Sequence, residues 1–162
     1  MADHGTLFRL FQRLRRAFGQ DATDEQAAAL VWRRAGKATV EVLLITSRGT
    51  GRWILPKGWI EDGEDMAGAA AREAWEEAGV TGRLAGEAVG TYRYVKVDGS
   101  DIRPCEVTVF ALALADQADQ WPECAERERA WYPAREAAQM VDETELKALL
   151  ERFEAGWEEL AA

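Results

Sequence analysis

Hydrophobic residues along this chain occur in short runs separated by turn-forming residues, a pattern that predicts β-strands. Strands are predicted over residues 27–32, 40–46, 53–55, 84–97, 105–114 and 129–132, with a hairpin turn at 98–100. Helices are predicted over residues 66–78, from Pro133 to about 140, and from an Asp142 cap to about 160. Strands, one crossover helix, more strands and final helices predict an α/β fold whose mixed sheet has helices on both faces.

Two segments carry hydrophobic residues at helical spacing. In the final helix this stripe comprises Leu146, Leu149, Leu150, Phe153 and Trp157. In residues 6–18 it comprises Leu7, Leu10, Phe11, Leu14 and Phe18, with arginines on the other faces. We expect this N-terminal helix to dock on the domain or on a second subunit; a membrane-surface helix is the alternative, and an organelle transit segment is a weaker one. The expected division is a helix and linker over residues 1–24 and a domain over 25–162.

A glycine-rich turn precedes the helix at 66–78. Pro56, Gly58 and Gly63 disfavour regular structure there, Asp65 is the expected N-cap, and Gly79 is expected to end the helix in a left-handed conformation. Helical periodicity places alanines on one face (Ala67, Ala71, Ala74 and Ala78) and glutamates on another (Glu73, Glu76 and Glu77).

Three glutamates on one helix face repel one another. Arg72 stands four residues before Glu76 and is expected to offset only that one charge. A hard divalent cation with oxygen ligands, such as Mg²⁺, would neutralise such a cluster, and Glu64 in the preceding turn can reach the same place.

Seven residues of this segment stand at fixed offsets. They are Gly58, Glu64 after five residues, Arg72-Glu73 after seven, Glu76-Glu77 after two and Gly79 after one, before the aliphatic Val80. The pattern resembles the Nudix box, and the surrounding strands extend the resemblance to most of residues 25–155. The resemblance implies a Nudix-type α/β/α sandwich with a central mixed β-sheet. It also implies a hydrolase that cleaves a diphosphate linkage.

The resemblance implies roles for individual residues. Glu73, Glu76 and Glu77 are the expected metal ligands, the Gly58 carbonyl and Glu64 are further candidates, and Mg²⁺ or Mn²⁺ is the expected ion. Arg72 is expected to orient a glutamate through a bidentate hydrogen bond. The expected catalytic residues are Arg72, Glu73 and Glu76, with a box glutamate as general base and a glutamate beyond the box as the alternative. A non-catalytic binding module is also considered, although such modules usually lack box glutamates.

The segment before the box also resembles diphosphoinositol polyphosphate phosphohydrolases. The similar residues are the run 46–58 and, downstream, Trp121-Pro122-Glu123, Arg127, Arg129 and Trp131. The expected phosphate contacts are Arg48, Arg52, Lys57, Arg93 and Lys96. Diadenosine polyphosphate hydrolases are a neighbouring subgroup, for which Tyr92 or Tyr94 would stack a base, although packing of these rings in the core is favoured. The alternative function is a house-cleaning pyrophosphatase acting on nucleoside di- or triphosphate derivatives.

The net charge and the few histidine and cysteine residues argue against several other classes of function. The net charge of −9 disfavours generic binding to nucleic acid or anionic membranes, whereas residues 33–57 carry a charge of +5, which suits a small polyanionic substrate. The single histidine, His4, argues against histidine-based catalysis. Cys105 and Cys124 lack metal-site spacing, which predicts free thiols in the cytoplasm. No transmembrane segment or signal peptide is expected, and a homodimer is left open.

Overall fold

The computed structural model describes residues 4–17 and 23–161 of the chain. These residues form four helices and seven strands. The helices are α1 (His4–Ala17), α2 (Met66–Ala78), α3 (Ala134–Met140) and α4 (Thr144–Leu160). The strands are β1 (Asp24–Arg34), β2 (Val40–Thr46), β3 (Trp53–Ile54), β4 (Lys57–Trp59), β5 (Val80–Asp98), β6 (Asp101–Gln117) and β7 (Arg129–Pro133).

The strands form one mixed sheet. Five follow the order β3-β2-β1-β6-β5, while β4 pairs with β1 and β7 pairs with β2. Strands β1 and β6 are parallel, and the remaining pairs are antiparallel. One hydrophobic core lies between the sheet and helices α3 and α4, and a second lies between the sheet and α2. The predicted α/β/α sandwich with a central mixed sheet is therefore confirmed.

The central strand β1 explains why the sheet is covered on both faces. Ala28, Leu30 and Trp32 belong to the core under α3 and α4, whereas the alternate residues Ala27 and Val31 belong to the core under α2. Successive side chains of a strand point to opposite faces, so a strand that is hydrophobic throughout requires a layer on each side.

Strands β5 and β6 extend beyond their predicted ends. They pair antiparallel over nearly their whole lengths, and their exposed polar ends are held by these hydrogen bonds rather than by burial. The predicted hairpin turn is confirmed, because Gly99 has a left-handed φ of 58° between the paired Asp98 and Asp101. Strand β4 departs from the prediction of irregular structure, since β1 supplies its pairing partners.

The start of α4 corrects the predicted Asp142 cap. The N-cap position is Glu143, whose side chain makes no capping hydrogen bond. Both acids instead face Nη1 of Arg52, at 3.5 Å for Asp142 and 3.2 Å for Glu143, because the fold brings the 47–52 loop against this turn. The hydrophobic stripe of α4 is buried as predicted. In α3 the N-cap is Pro133, which also ends β7.

Helix α1 contacts strands β5 and β6 of its own chain. Its predicted stripe is partly wrong: Leu7 and Leu10 are exposed, and Phe8 is the buried residue. The guanidinium carbon of Arg93 lies 5.0 Å from the centroid of the Phe8 ring. The side chains of Leu14 and Phe18 lie outside the described part, and the division at residue 24 stays a prediction.

Candidate active site

A cleft of about 670 Å³ lies where α2, β4 and β5 meet the loops 47–52 and 118–128. Its acidic lining residues are Glu73, Glu76, Glu77, Asp98 and Glu123, and its basic lining residues are Arg48, Arg52, Lys57, Lys96 and Arg127. Groups that attract a cation and groups that attract an anion therefore face the same space.

Helix α2 has the predicted ends. The Asp65 carboxylate accepts a hydrogen bond from the amide of Gly68, and Gly79 ends the helix with φ 66°. The buried face differs from the prediction, since it comprises Ala69, Ala70, Glu73, Ala74, Glu77 and Ala78, while Ala67 and Ala71 are only half-buried. Two box glutamates therefore share the side that packs on the sheet with the alanines.

Gly58 brings the backbone of β4 against the helix. A side chain at this position would overlap the carboxylate of Glu73, so only glycine permits this approach. The position is fixed by the antiparallel pairing of Gly58 with Ala27 of β1. The sequence pattern grouped Gly58 with the box glutamates, and it does lie beside Glu73. That Gly58 lies within a strand follows only from the pairing of β4 with β1.

Arg72 lies within ion-pair distance of four glutamates, Glu61, Glu64, Glu73 and Glu76, which corrects the expectation that it offsets Glu76 alone. Its Nε and Nη2 donate to the two carboxylate oxygens of Glu64 at 3.0 and 3.1 Å, the bidentate arrangement that was predicted. Its Nη1 donates to Glu73 at 2.7 Å and to Glu76 at 3.3 Å. The hydrogen bond from Arg72 also lowers the pKa of Glu64. Arg72 and Glu64 do not line the cleft themselves, whereas Glu73 and Glu76 do. Arg72 therefore connects the turn before α2 to two glutamates of the cleft.

Glu77 is held by a residue to which the sequence analysis assigned no role. Nη2 of Arg127 donates to Glu77 at 2.6 Å, and the backbone amide of Lys57 donates to its other oxygen at 3.2 Å. The side chains of Arg127 and Glu77 are both buried. Burial raises the pKa of Glu77 to about 7, against the opposing effects of Arg127 and Lys57. The signal for Arg127 in the sequence was its place in the downstream run that begins at Trp121.

The three α2 glutamates differ in environment. Burial raises the pKa of Glu73, whereas Glu76 is the most open of the three, with its side chain 42% exposed. Glu123 approaches them from the 118–128 loop: its amide donates to the carbonyl of Glu76 at 3.1 Å, and its carboxylate lines the cleft. Glu123 was not among the predicted site residues.

The structure brings four of the five predicted phosphate contacts to the cleft. Arg48, Arg52, Lys57 and Lys96 line it, and Arg93 does not. Arg93 lies instead against Phe8 and Glu145, with Nη2 2.9 Å from the carboxylate of Glu145. Burial lowers the pKa of Lys57, whose Nζ lies 4.7 Å from the centroid of the Tyr94 ring.

Both candidate stacking tyrosines are packed in the core, as favoured from the sequence. Tyr92 is fully buried, and the Tyr94 hydroxyl donates to Gln26 at 2.6 Å. Tyr94 and the half-buried Trp59 both line the cleft, and Lys96 and Arg103 lie over the Trp59 ring, at 5.1 and 5.3 Å from its centroid. Trp59 and Gln26 are further lining residues without a signal in the sequence.

The oxygen donors of α2 fit a divalent cation by their chemistry. Within residues 4–17 and 23–161, no three acidic, thiol or imidazole groups converge as a formed metal site. Arg72 and Arg127 pair with the carboxylates instead. Carboxylates together with a backbone carbonyl are nonetheless the ligands that Mg²⁺ and Mn²⁺ prefer. Because Gly58 has no side chain, the strand that carries its carbonyl can lie against Glu73. The ligand assignment stays a prediction.

Comparison with known proteins decides the family. The family model of the NUDIX domain matches residues 23–153. The chain belongs to the NUDIX family. It is 34% identical over 118 residues to Nudix hydrolase 12, mitochondrial, of Arabidopsis thaliana, covering 70% of this chain and 58% of that protein. It is 31% identical over 129 residues to diphosphoinositol polyphosphate phosphohydrolase 2 of Rattus norvegicus, covering 78% of this chain and 67% of that protein.

A solved structure of the NUDIX fold agrees with the observed architecture. A binary complex of the Caenorhabditis elegans Ap4A hydrolase matches with a TM-score of 0.62 and 25% identity, covering 82% of this chain and 96% of that one. The chain spans less than two thirds of the length of the Arabidopsis relative. Among the described helices of this NUDIX protein, none is both long and apolar enough to cross a membrane.

Proposed function

We propose that this NUDIX protein is a divalent-metal-dependent pyrophosphohydrolase that cleaves a diphosphate linkage in a polyphosphorylated small molecule. The observation that carries the proposal is the mixed lining of the cleft, to which three box glutamates and the basic residues Arg48, Arg52, Lys57 and Lys96 all contribute. A polyphosphate chain is an anion that needs basic contacts, and its cleavage develops further negative charge that a cation neutralises.

The box residues hold the metal ion in this proposal, and one of them, Glu76, also takes part in the reaction. Glu73, Glu76 and Glu77, with the carbonyl of Gly58, would hold Mg²⁺ or Mn²⁺, which when bound supplies positive charge to the phosphoryl oxygens as the linkage breaks. Arg72 keeps the carboxylates of Glu73 and Glu76 in place through its contacts at 2.7 and 3.3 Å. Of these glutamates we assign proton transfer from the attacking water to Glu76, because its carboxylate is the most accessible.

The basic residues select a substrate with several phosphates. A clamp of arginines and lysines contributes most when the ligand offers a phosphate to each of them. One relative is named for diphosphoinositol polyphosphates and one structural neighbour for Ap4A, so both substrate classes are candidates here. The position of Trp59 favours the diphosphoinositol class, because a nucleobase on its ring would compete with Lys96 and Arg103.

Two alternative functions, a location and an oligomeric arrangement accompany this proposal. A house-cleaning activity on nucleoside di- or triphosphate derivatives is the alternative, and a binding module without turnover is a second one. A cytoplasmic location rests on the two free cysteines, whereas the Arabidopsis relative is named as mitochondrial. A homodimer remains an open arrangement.

The proposal is tested with a substrate panel. The purified chain is incubated with a diphosphoinositol polyphosphate, a diadenosine polyphosphate and common nucleoside triphosphates, in Mg²⁺ and in EDTA. We expect turnover in Mg²⁺ only, with the highest kcat/KM for a polyphosphorylated substrate. Glu76→Gln should lower kcat by about 10²- to 10⁴-fold, the usual contribution of acid–base catalysis, while Glu151→Gln, an exposed site on α4, leaves it unchanged.

The outcomes separate the alternatives. Preference for a nucleoside triphosphate would replace the proposed substrate class with the house-cleaning alternative. Tight substrate binding without turnover in any metal would show a binding module. Normal turnover by Glu76→Gln would remove Glu76 from the reaction.

A further inference from the structure

A carboxylate that no feature of the box explains lies beneath the wall of the cleft. Glu143, at the N-cap position of α4, is only 1% exposed. Its Oε1 accepts a hydrogen bond from Nη1 of Arg52 at 3.2 Å, whereas its Oε2 is buried without a hydrogen-bond partner among the described residues. Glu143 also attracts the buried Lys57 electrostatically. A buried carboxylate with one hydrogen-bonded oxygen is still costly, so a contribution to stability is a poor explanation for it.

Arg52, the arginine that Glu143 contacts among the described residues, faces the proposed substrate. Arg52 lines the cleft with a side chain that is 30% exposed, and the same Nη1 also approaches Asp142 at 3.5 Å. Asp142 is half-exposed and therefore a weaker anchor, because water screens the pair. The buried carboxylate is the partner able to fix the orientation of the guanidinium, since its own position is fixed by the turn between α3 and α4.

We propose that Glu143 is a positioning residue that holds the Arg52 guanidinium at the cleft wall for a substrate phosphate. The inference rests on the proposed function and deepens it, because it names what prepares one phosphate contact. A long flexible arginine loses side-chain entropy when it binds an anion. An arginine already held in place loses less, and its phosphate contact is correspondingly stronger.

Because Glu143 is charged, the direction in which its substitution changes binding affinity distinguishes two possible roles. A carboxylate beneath an anion site repels the anion, so a residue that acts only through its charge would weaken binding, and Glu143→Gln would then strengthen it. A positioning residue has the opposite signature, since Glu143→Gln loosens Arg52 and weakens binding. Asp142→Asn is the matched control, because it removes an equal charge beside the same arginine from a half-exposed site.

The experiment measures binding of inositol hexakisphosphate by titration calorimetry, alongside turnover of the panel substrates. We expect Arg52→Ala to weaken binding by about 10- to 100-fold, the value of a charge-assisted hydrogen bond, and Glu143→Gln by about 3- to 10-fold. Asp142→Asn should leave affinity unchanged or increased. In the Arg52→Ala background, Glu143→Gln should produce no further weakening, because the residue it positions is gone. In turnover, Glu143→Gln should raise KM with kcat nearly unchanged.

Several results would overturn the positioning role. Unchanged or tighter binding by Glu143→Gln assigns it a charge effect only, and equal weakening with and without Arg52 assigns it a structural effect. If Glu143→Gln does not fold, Glu143→Asp takes its place: aspartate keeps the charge on a side chain too short to hold Arg52 in the same way, so unchanged binding would refute positioning and weaker binding would support it. Absence of wild-type turnover with normal responses in the binding assay would refute the proposed function and leave the positioning role standing.

Discussion

Replacing Arg127 by methionine should destabilise the protein in a pH-dependent way. Arg127 has only 5% of its side chain exposed, and it donates to Glu77 at 2.6 Å and to the carbonyl of Thr46 at 3.0 Å. The substitution leaves the Glu77 carboxylate buried near the backbone amide of Lys57 without its charged partner. Methionine keeps much of the volume, so the electrostatic loss dominates over a packing defect.

The magnitude follows from the burial of the pair. Removing one partner of a buried ion pair costs about 3–5 kcal/mol, out of a total stability of about 5–15 kcal/mol. Burial already raises the pKa of Glu77 to about 7, and loss of Arg127 raises it further. Below pH 7 the folded state therefore binds a proton and escapes most of the cost. We expect a loss of about 3 kcal/mol at pH 8 and less than half of that at pH 5.5.

Urea unfolding followed by tryptophan fluorescence in EDTA measures this loss. Arg48→Ala is the control, because its side chain is 60% exposed and its pair with Glu123 is worth under about 1 kcal/mol. The double variant Glu77→Gln/Arg127→Met should recover most of the stability at pH 8, since neither charge remains buried. A loss below about 1 kcal/mol at pH 8, or an equally large loss at both pH values, would refute this reasoning.

Three further predictions concern metal and substrate. Gly58→Ala should weaken Mn²⁺ binding by about tenfold or more in a calorimetric titration, because its side chain overlaps a box carboxylate, whereas Gly86→Ala, which meets no atom within 4 Å, should not. In EDTA, the folded protein holds a proton on Glu77 between about pH 4.5 and 7 that the unfolded chain releases, so stability should fall as pH rises across this window. Added Mg²⁺ should therefore raise Tm more at pH 8 than at pH 5.5, and equal shifts would contradict the role of Glu77. Arg48→Ala should raise KM for a polyphosphorylated substrate about 3- to 10-fold and reduce its salt dependence, whereas Arg93→Ala, which lies off the cleft, should change neither.

Features set by residues close together in sequence could be predicted well. The ends of α2 at Asp65 and Gly79, the hairpin turn at Gly99 and the buried stripe of α4 depend on local backbone geometry and helical spacing. The same spacing places Glu73, Glu76 and Glu77 as neighbours wherever the helix lies. The continuous hydrophobic run of β1 likewise required a layer on both faces of the sheet.

Only the tertiary structure decided which distant charges meet. Glu77 pairs with Arg127 and Arg52 pairs with Glu143 because the fold brings the 118–128 loop against α2 and the 47–52 loop against the start of α4. Arg93 was expected at the cleft, yet its position on the strand turns it towards Phe8. A charged residue has many potential partners of opposite sign along a chain, and sequence spacing does not rank them. The pairing of strands fixes the distances, and burial then determines which of the resulting ion pairs matter.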